Sequence, residues 1–208
     1  HIQGFPFFVP NFIPGNKINI YSPMPFLKRR FENQNRSEHF PITIEQMPAQ
    51  IKFKKLKPGE LISLAPRLLI SNIRLNHPGG AYGYKIEYQG KKVMYATDVE
   101  YTDIEAESFS QYIDFYRNCD VLITDSQYTL KETIDEKKYW GHSSAMTGVE
   151  IALKANVKKL VLFHHEPDYN DETIWQLMRQ AQKYMQYIPQ NKKKCEIIVG
   201  YEGLEIKL

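Results

Sequence analysis

Cysteine is nearly absent: the 208 residues hold two, Cys119 and Cys195. They stand far apart, each beside a strand-like run. That excludes a disulfide framework and reads as two reduced core thiols in a cytoplasmic protein. No stretch approaches the roughly twenty apolar residues of a membrane span, and no secretory leader is visible, so no membrane partner is expected. Charge of one sign is also scarce. The net charge is +3, too even to argue for nucleic acid by itself. Lys54-Lys55, Lys91-Lys92 and Lys192-Lys193-Lys194 read as solvated turn lysines. There is no internal repeat and no low-complexity segment. Methionine is missing from the first position, where His1 stands. The expectation is a piece of a longer chain whose beginning is absent.

What is present suffices for a core. Apolar residues make up 42% of the chain, enough for one domain over residues 1–208. Residues 1–16 are aromatic and proline-rich, which excludes a regular helix. Lys17 to Tyr21 alternates like a strand, and residues 24–41 read as a short helix followed by a loop. From Ile42 to Asn76 the pattern is strand-like and broken by turns such as Pro58-Gly59-Glu60, ending in the strand Leu68–Leu75. Tyr84–Tyr88 and Lys92–Ala96 flank Gln89-Gly90, a hairpin signal. Apolar spacing predicts helices over 103–118, over 143–156 with a serine N-cap, and over 171–187. Val121–Asp125 and Lys159–His165 read as buried strands, and 197–206 as a closing hairpin through Glu202-Gly203. Helix and strand alternating after an all-strand middle predict a layered α/β domain.

Three strands end on Asp or His, and further histidines lie just past turns. The set is His77, Asp98, Asp125, His142, His164 and His165. Any one reads as a satisfied strand end. Together, at converging ends of adjacent strands, they gather the borderline ligands that suit one or two divalent ions.

Five stretches carry a resemblance. They are His1, His77-Pro78-Gly79-Gly80, Ala96-Thr97-Asp98, Trp140-Gly141-His142-Ser143-Ser144 and Phe163-His164-His165-Glu166-Pro167. In this order they resemble the metallo-β-lactamase-fold hydrolases, in the branch of ribonuclease Z and related phosphodiesterases. The resemblance implies a four-layer αββα sandwich with its N-terminal part missing. In that family a His-x-His-x-Asp-His loop opens the site, and His1 resembles its last histidine; the preceding ligands are not in the sequence. The resemblance further implies that His77 completes the first metal's set, that Asp98 bridges two metals, and that His164 joins His1 on the second. His165 competes with His164 for that place. Gly141-His142-Ser143-Ser144 resembles the motif whose histidine is catalytic, and Asp125 the acid that orients it.

The activity implied is hydrolysis of a phosphodiester by a hydroxide shared between two divalent ions, zinc first and manganese second. His142 would supply a proton to the departing oxygen. Fold alone does not choose the substrate. No basic, glycine-rich arm is inserted between Tyr101 and Thr133, which favours a small or cyclic nucleotide over a transfer RNA 3′ end, the alternative. A lactonase-like hydrolase and a non-catalytic sensing or binding domain are the competing classes. The Phe/Pro-rich start offers apolar surface for a homodimer.

Overall fold

A computed structural model describes residues 2–101, 107–188 and 195–208, without the side chains of 107 and 108. The chain divides into two compact units, His1–Pro58 and Gly59–Leu208.

The first unit begins with two single 3-10 turns, Phe5–Phe7 and Val9–Phe12, each with proline in its first positions. Proline there pre-sets φ and lacks only an N–H that a helix start leaves unpaired anyway. Strand β1 (Lys17–Ser22) pairs in parallel with β2 (Gln50–Lys55). Between them lie helix α1 (Leu27–Gln34) and a one-turn 3-10 segment, Ile44–Gln46, closed by a capping box between Thr43 and Gln46. Phe31, Ile44 and Met47 form the buried centre of this unit, against Ile20, Ile51 and Phe53.

The second unit is built on a seven-stranded mixed sheet. Its strands are β3 (Leu61–Ala65), β4 (Leu68–Leu75), β5 (Ala81–Tyr88), β6 (Lys91–Ala96), β7 (Val121–Asp125), β8 (Lys159–Phe163) and β9 (Glu196–Val199), in that spatial order. β3 to β6 pair antiparallel, and β6 to β9 pair parallel. Helices α2 (Glu107–Tyr116), α3 (Ala145–Lys154) and α4 (Asp171–Tyr187) fall within the stretches whose apolar spacing predicts them. Residues 102–106, where the expected helix began, and Lys192 to Lys194 lie outside the described residues. Met94, Ala96, Leu122, Leu160 and Leu162 are fully buried and pack in one cluster with Phe109, Tyr116, Val149, Ile151 and Ala181. The register sets Met94 beside Leu122 and Leu122 beside Leu160, so these side chains share one face of the sheet.

Two expectations shift. The cap of α3 is Ser144, whose Oγ accepts from Thr147 N. Ser143 is committed elsewhere, donating to Val99 O at 2.7 Å and accepting from Tyr101 N at 3.0 Å. The closing hairpin does not form: a turn at Glu202-Gly203 is present, but residues 204–208 join no strand. A three-residue alternation is short for a ladder, and Lys207 O accepts from Lys159 Nζ instead.

Topology fixes where chemistry can sit. β6, β7 and β8 run parallel, so their carboxyl ends share one edge. β4 is antiparallel to β5, and β5 to β6, so β4 runs in the direction of β6 and ends at the same edge.

Candidate metal centre

Each of those four strands delivers one candidate site residue at its carboxyl end. His77 lies two residues past β4, Asp98 two past β6, Asp125 at the end of β7, and His164 one past β8. Asp98 and His164 both adopt left-handed backbone conformations, with φ of 56° and 58°. Such values are uncommon outside glycine and cluster where a side chain must be aimed. The result is a compact set. Ligand atoms of His77, Asp98 and His142 lie within 4.8 Å of one another, and so do those of Asp125, His142 and His164.

Asp125 is the buried centre, fully shielded from solvent. Its Oδ1 accepts from the amides of Gln127 and Ser143, both at 3.1 Å. Its Oδ2 accepts from Val99 N at 3.3 Å and faces His142 Nδ1 at 2.7 Å. A carboxylate only accepts, so His142 Nδ1 carries its hydrogen and Nε2 is left for chemistry. The His142 ring stacks on His164, with centroids 5.0 Å apart and planes 13° apart, and meets His77 and Tyr128 edge-on.

His164 Nε2 sits 3.3 Å from Asp98 Oδ1. That contact raises the histidine's pKa, against the opposing effect of burial. Burial pushes the Asp98 carboxyl up, but the hydrogen bond from His164 and the charges of His164, His142 and His77 outweigh it and bring it below its usual range. Burial lowers the pKa of His77, and the His142 charge lowers it further. The two opposite shifts share one origin, the attraction between the Asp98 carboxylate and the His164 imidazole. His164 Nδ1 is buried, 3.8 Å from Asp125 Oδ2, with no hydrogen-bond partner among the described residues. Histidine and aspartate donors around such a point fit a divalent cation.

His165 belongs to neither group of converging ligand atoms. Its ring is buried, and burial lowers its pKa. His1 lies outside the described residues.

Glu100 and Tyr128 escaped sequence reasoning, and Gly141, quoted there only as part of the His142 motif, has a steric role the sequence does not reveal. Glu100 is buried, and its two carboxylate oxygens accept from Tyr139 N at 2.8 Å and Gly141 N at 3.0 Å. It thereby holds the loop that carries His142. Its only signal in the chain is its place two residues after Asp98. Gly141 has φ +94°, and a Cβ there would meet His77 Cδ2 at 2.4 Å and Pro78 Cδ at 2.6 Å. Tyr128 braces the His142 ring, and Lys137 Nζ lies 4.2 Å from the Tyr128 ring centroid. Lys137 pairs with Glu132 and Glu166, and Gln127 Nε2 donates to Glu166 Oε2 at 2.9 Å. This network ties residues 127–137 to the segment following His164. Gly79 also has a local duty, its amide donating to His77 Nδ1 at 3.2 Å.

A family model described as the beta-lactamase superfamily domain matches residues 1–165. Among curated proteins, the ribonuclease Z of Picrophilus torridus is 42% identical over 83 residues, covering 39% of this chain and 24% of that protein. The chain spans less than half the length of the curated relatives it matches. Among solved structures, unliganded yeast PDE1 aligns with a TM-score of 0.71 at 16% identity, over 98% of this chain and 65% of that one. The metallo-beta-lactamase fold protein YhfI from Bacillus subtilis aligns with a TM-score of 0.62 at 18% identity, over 88% of this chain and 62% of that one. These likenesses show the shared fold, an α/β sandwich of the metallo-β-lactamase type with a mixed sheet.

Proposed function

The chain belongs to the beta-lactamase superfamily, and on that premise we propose that the protein is a metal-dependent hydrolase of phosphodiester bonds. One observation carries the reading. His142, with Nδ1 held by a fully buried carboxylate, lies in the same cluster as His77, Asp98 and His164. A metal cluster alone would suit many hydrolytic reactions. A histidine oriented by an acid and set beside that cluster suits one in which a poor leaving oxygen must gain a proton.

His77, Asp98 and His164 are the residues that would hold the ions. Bound divalent ions supply an acidified water and neutralise charge on the phosphoryl oxygens. His142 acts as the imidazolium: it donates its Nε2 hydrogen to the departing oxygen and keeps the Nδ1 hydrogen that faces Asp125. Asp125 keeps the ring in the tautomer and orientation this needs, because its Oδ2 is itself fixed by Val99 N. Glu100 holds the backbone on the amino side of His142 through the Gly141 amide. Tyr128 and the stacked His164 ring limit rotation of the imidazole.

The proposed substrate is a small or cyclic nucleotide. A second reading, processing of an RNA 3′ end, draws support from the curated relatives that bear the name ribonuclease Z. The test is turnover of bis-p-nitrophenyl phosphate and of cyclic AMP by the full-length protein, with and without a chelator. The expected result is chelator-sensitive hydrolysis of at least one diester. Hydrolysis of esters or lactones alone, unaffected by His142→Ala, would overturn the reading.

A further inference from the structure

We propose that the cavity beside His142 is a leaving-group pocket built to take a nucleoside, and that Ile134 and Tyr139 set its specificity. The proposal rests on the phosphodiesterase reading of the site. The cavity measures ≈ 570 Å³, within the range of about 300–1,000 Å³ typical of small-molecule sites. His142 is part of its wall. If His142 hands a proton to the departing oxygen, the group bearing that oxygen lies on the His142 side, and this is the cavity it enters.

The lining matches an amphiphilic alcohol. Glu100 contributes a buried carboxylate, each oxygen of which accepts an amide hydrogen among the described residues and has two lone pairs to accept with. It is the acceptor that ribose hydroxyls need. Leu130, Ile134 and Tyr139 supply apolar surface, and Lys138 supplies a cation. Its Nζ lies 5.0 Å from the Tyr139 ring centroid. A flat base can pack against such a wall, since every nucleobase offers a π-face.

The apolar part is costly to maintain, which argues for use. Tyr139 is 69% exposed and Ile134 62%. Tyr139 is also held at φ +69°, a left-handed conformation that a bulky residue adopts at an energetic cost. The Glu100 carboxylate fixes it there through the Tyr139 amide. An exposed ring in strained backbone and an exposed isoleucine, beside a candidate catalytic histidine, contribute little to a core.

The test uses the full-length protein supplied with zinc or manganese. Adenosine is the probe, measured as an inhibitor of bis-p-nitrophenyl phosphate hydrolysis and by direct calorimetric titration. The variant is Ile134→Ala/Tyr139→Ala, which alters exposed side chains and keeps the backbone bond to Glu100. The expected result is competitive inhibition by adenosine, with its inhibition and dissociation constants raised about tenfold or more in the variant. Diester hydrolysis without competition by adenosine, or with constants unchanged in the variant, overturns the pocket and leaves the hydrolase reading standing. Adenosine binding by a protein that cleaves no diester overturns the leaving-group assignment together with the hydrolase reading.

Discussion

Asp125 Oδ2 stands 2.7 Å from His142 Nδ1, a contact that turns His142 Nε2 away from the carboxylate. The carboxylate is shielded from solvent and is held by three backbone amides. The imidazole is bounded by the rings of His164, His77 and Tyr128. A strand end, a loop and a helix start thus converge to fix one ring.

His142→Ala should lower kcat for a diester about 10²–10⁴-fold while metal content stays at the wild-type level. Asp125→Asn should also lower it, because an amide can present a donor to Nδ1 and turn the tautomer over. Steady-state kinetics paired with metal analysis separate this effect from loss of ions. A fall in metal content that tracks the fall in rate would place His142 among the ligands instead.

Gly141→Ala should damage the site without replacing a titratable group. The new methyl would press on the His77 ring and on Pro78, at a backbone φ of +94°. Such overpacking costs about 1–3 kcal/mol. The expected outcome is a lowered melting temperature together with weaker metal retention, since His77 must move to make room. Thermal unfolding and metal content, read on the same preparation, check it.

Glu132 gives the clearest pH signature outside the ligand set. Burial pushes its carboxyl up, but Tyr169 OH, Thr129 and Lys137 outweigh that and hold it at about 2. A carboxyl depressed in the fold adds stability that is complete above its ordinary value of 4.5 and is lost as pH falls towards about 2. Glu132→Gln should therefore cost about 1–3 kcal/mol at pH 7. The gap to the wild type should close between about pH 4.5 and pH 2. Urea denaturation across that range measures it; a gap independent of pH would contradict the ionic origin.

The two thiols should be inert in the native protein. Cys119 and Cys195 are buried, and burial raises each to about 11. Thiolate is the reactive form, so a thiol reagent at pH 8 should modify them only on unfolding. Rapid labelling of either in the folded state would show that its surroundings open.

Much of this was legible in the chain because the signals are local. The strands Leu68–Leu75 and Val121–Asp125 and the helix Asp171–Tyr187 announce themselves through apolar periodicity and punctuation. Asp98 and His164 are legible because each terminates a buried run. What the sequence hid was non-local. Glu100 looks like an ordinary turn acid until Tyr139 and Gly141, about forty residues on, are seen to donate to it. The choice of Ser144 over Ser143 as helix cap depends on Val99 and Tyr101 claiming Ser143. The closing hairpin fails for a related reason. A turn signal at Gly203 says how the chain reverses, not whether a partner awaits the returning residues.

Metal content of the full-length protein by inductively coupled plasma mass spectrometry, wild type against Asp98→Ala, tests the central claim most directly. The proposed function predicts about two divalent ions per chain after exhaustive desalting, and marked loss of them in Asp98→Ala. A wild-type protein that retains no divalent metal, or an Asp98→Ala protein that retains as much as the wild type, would contradict it.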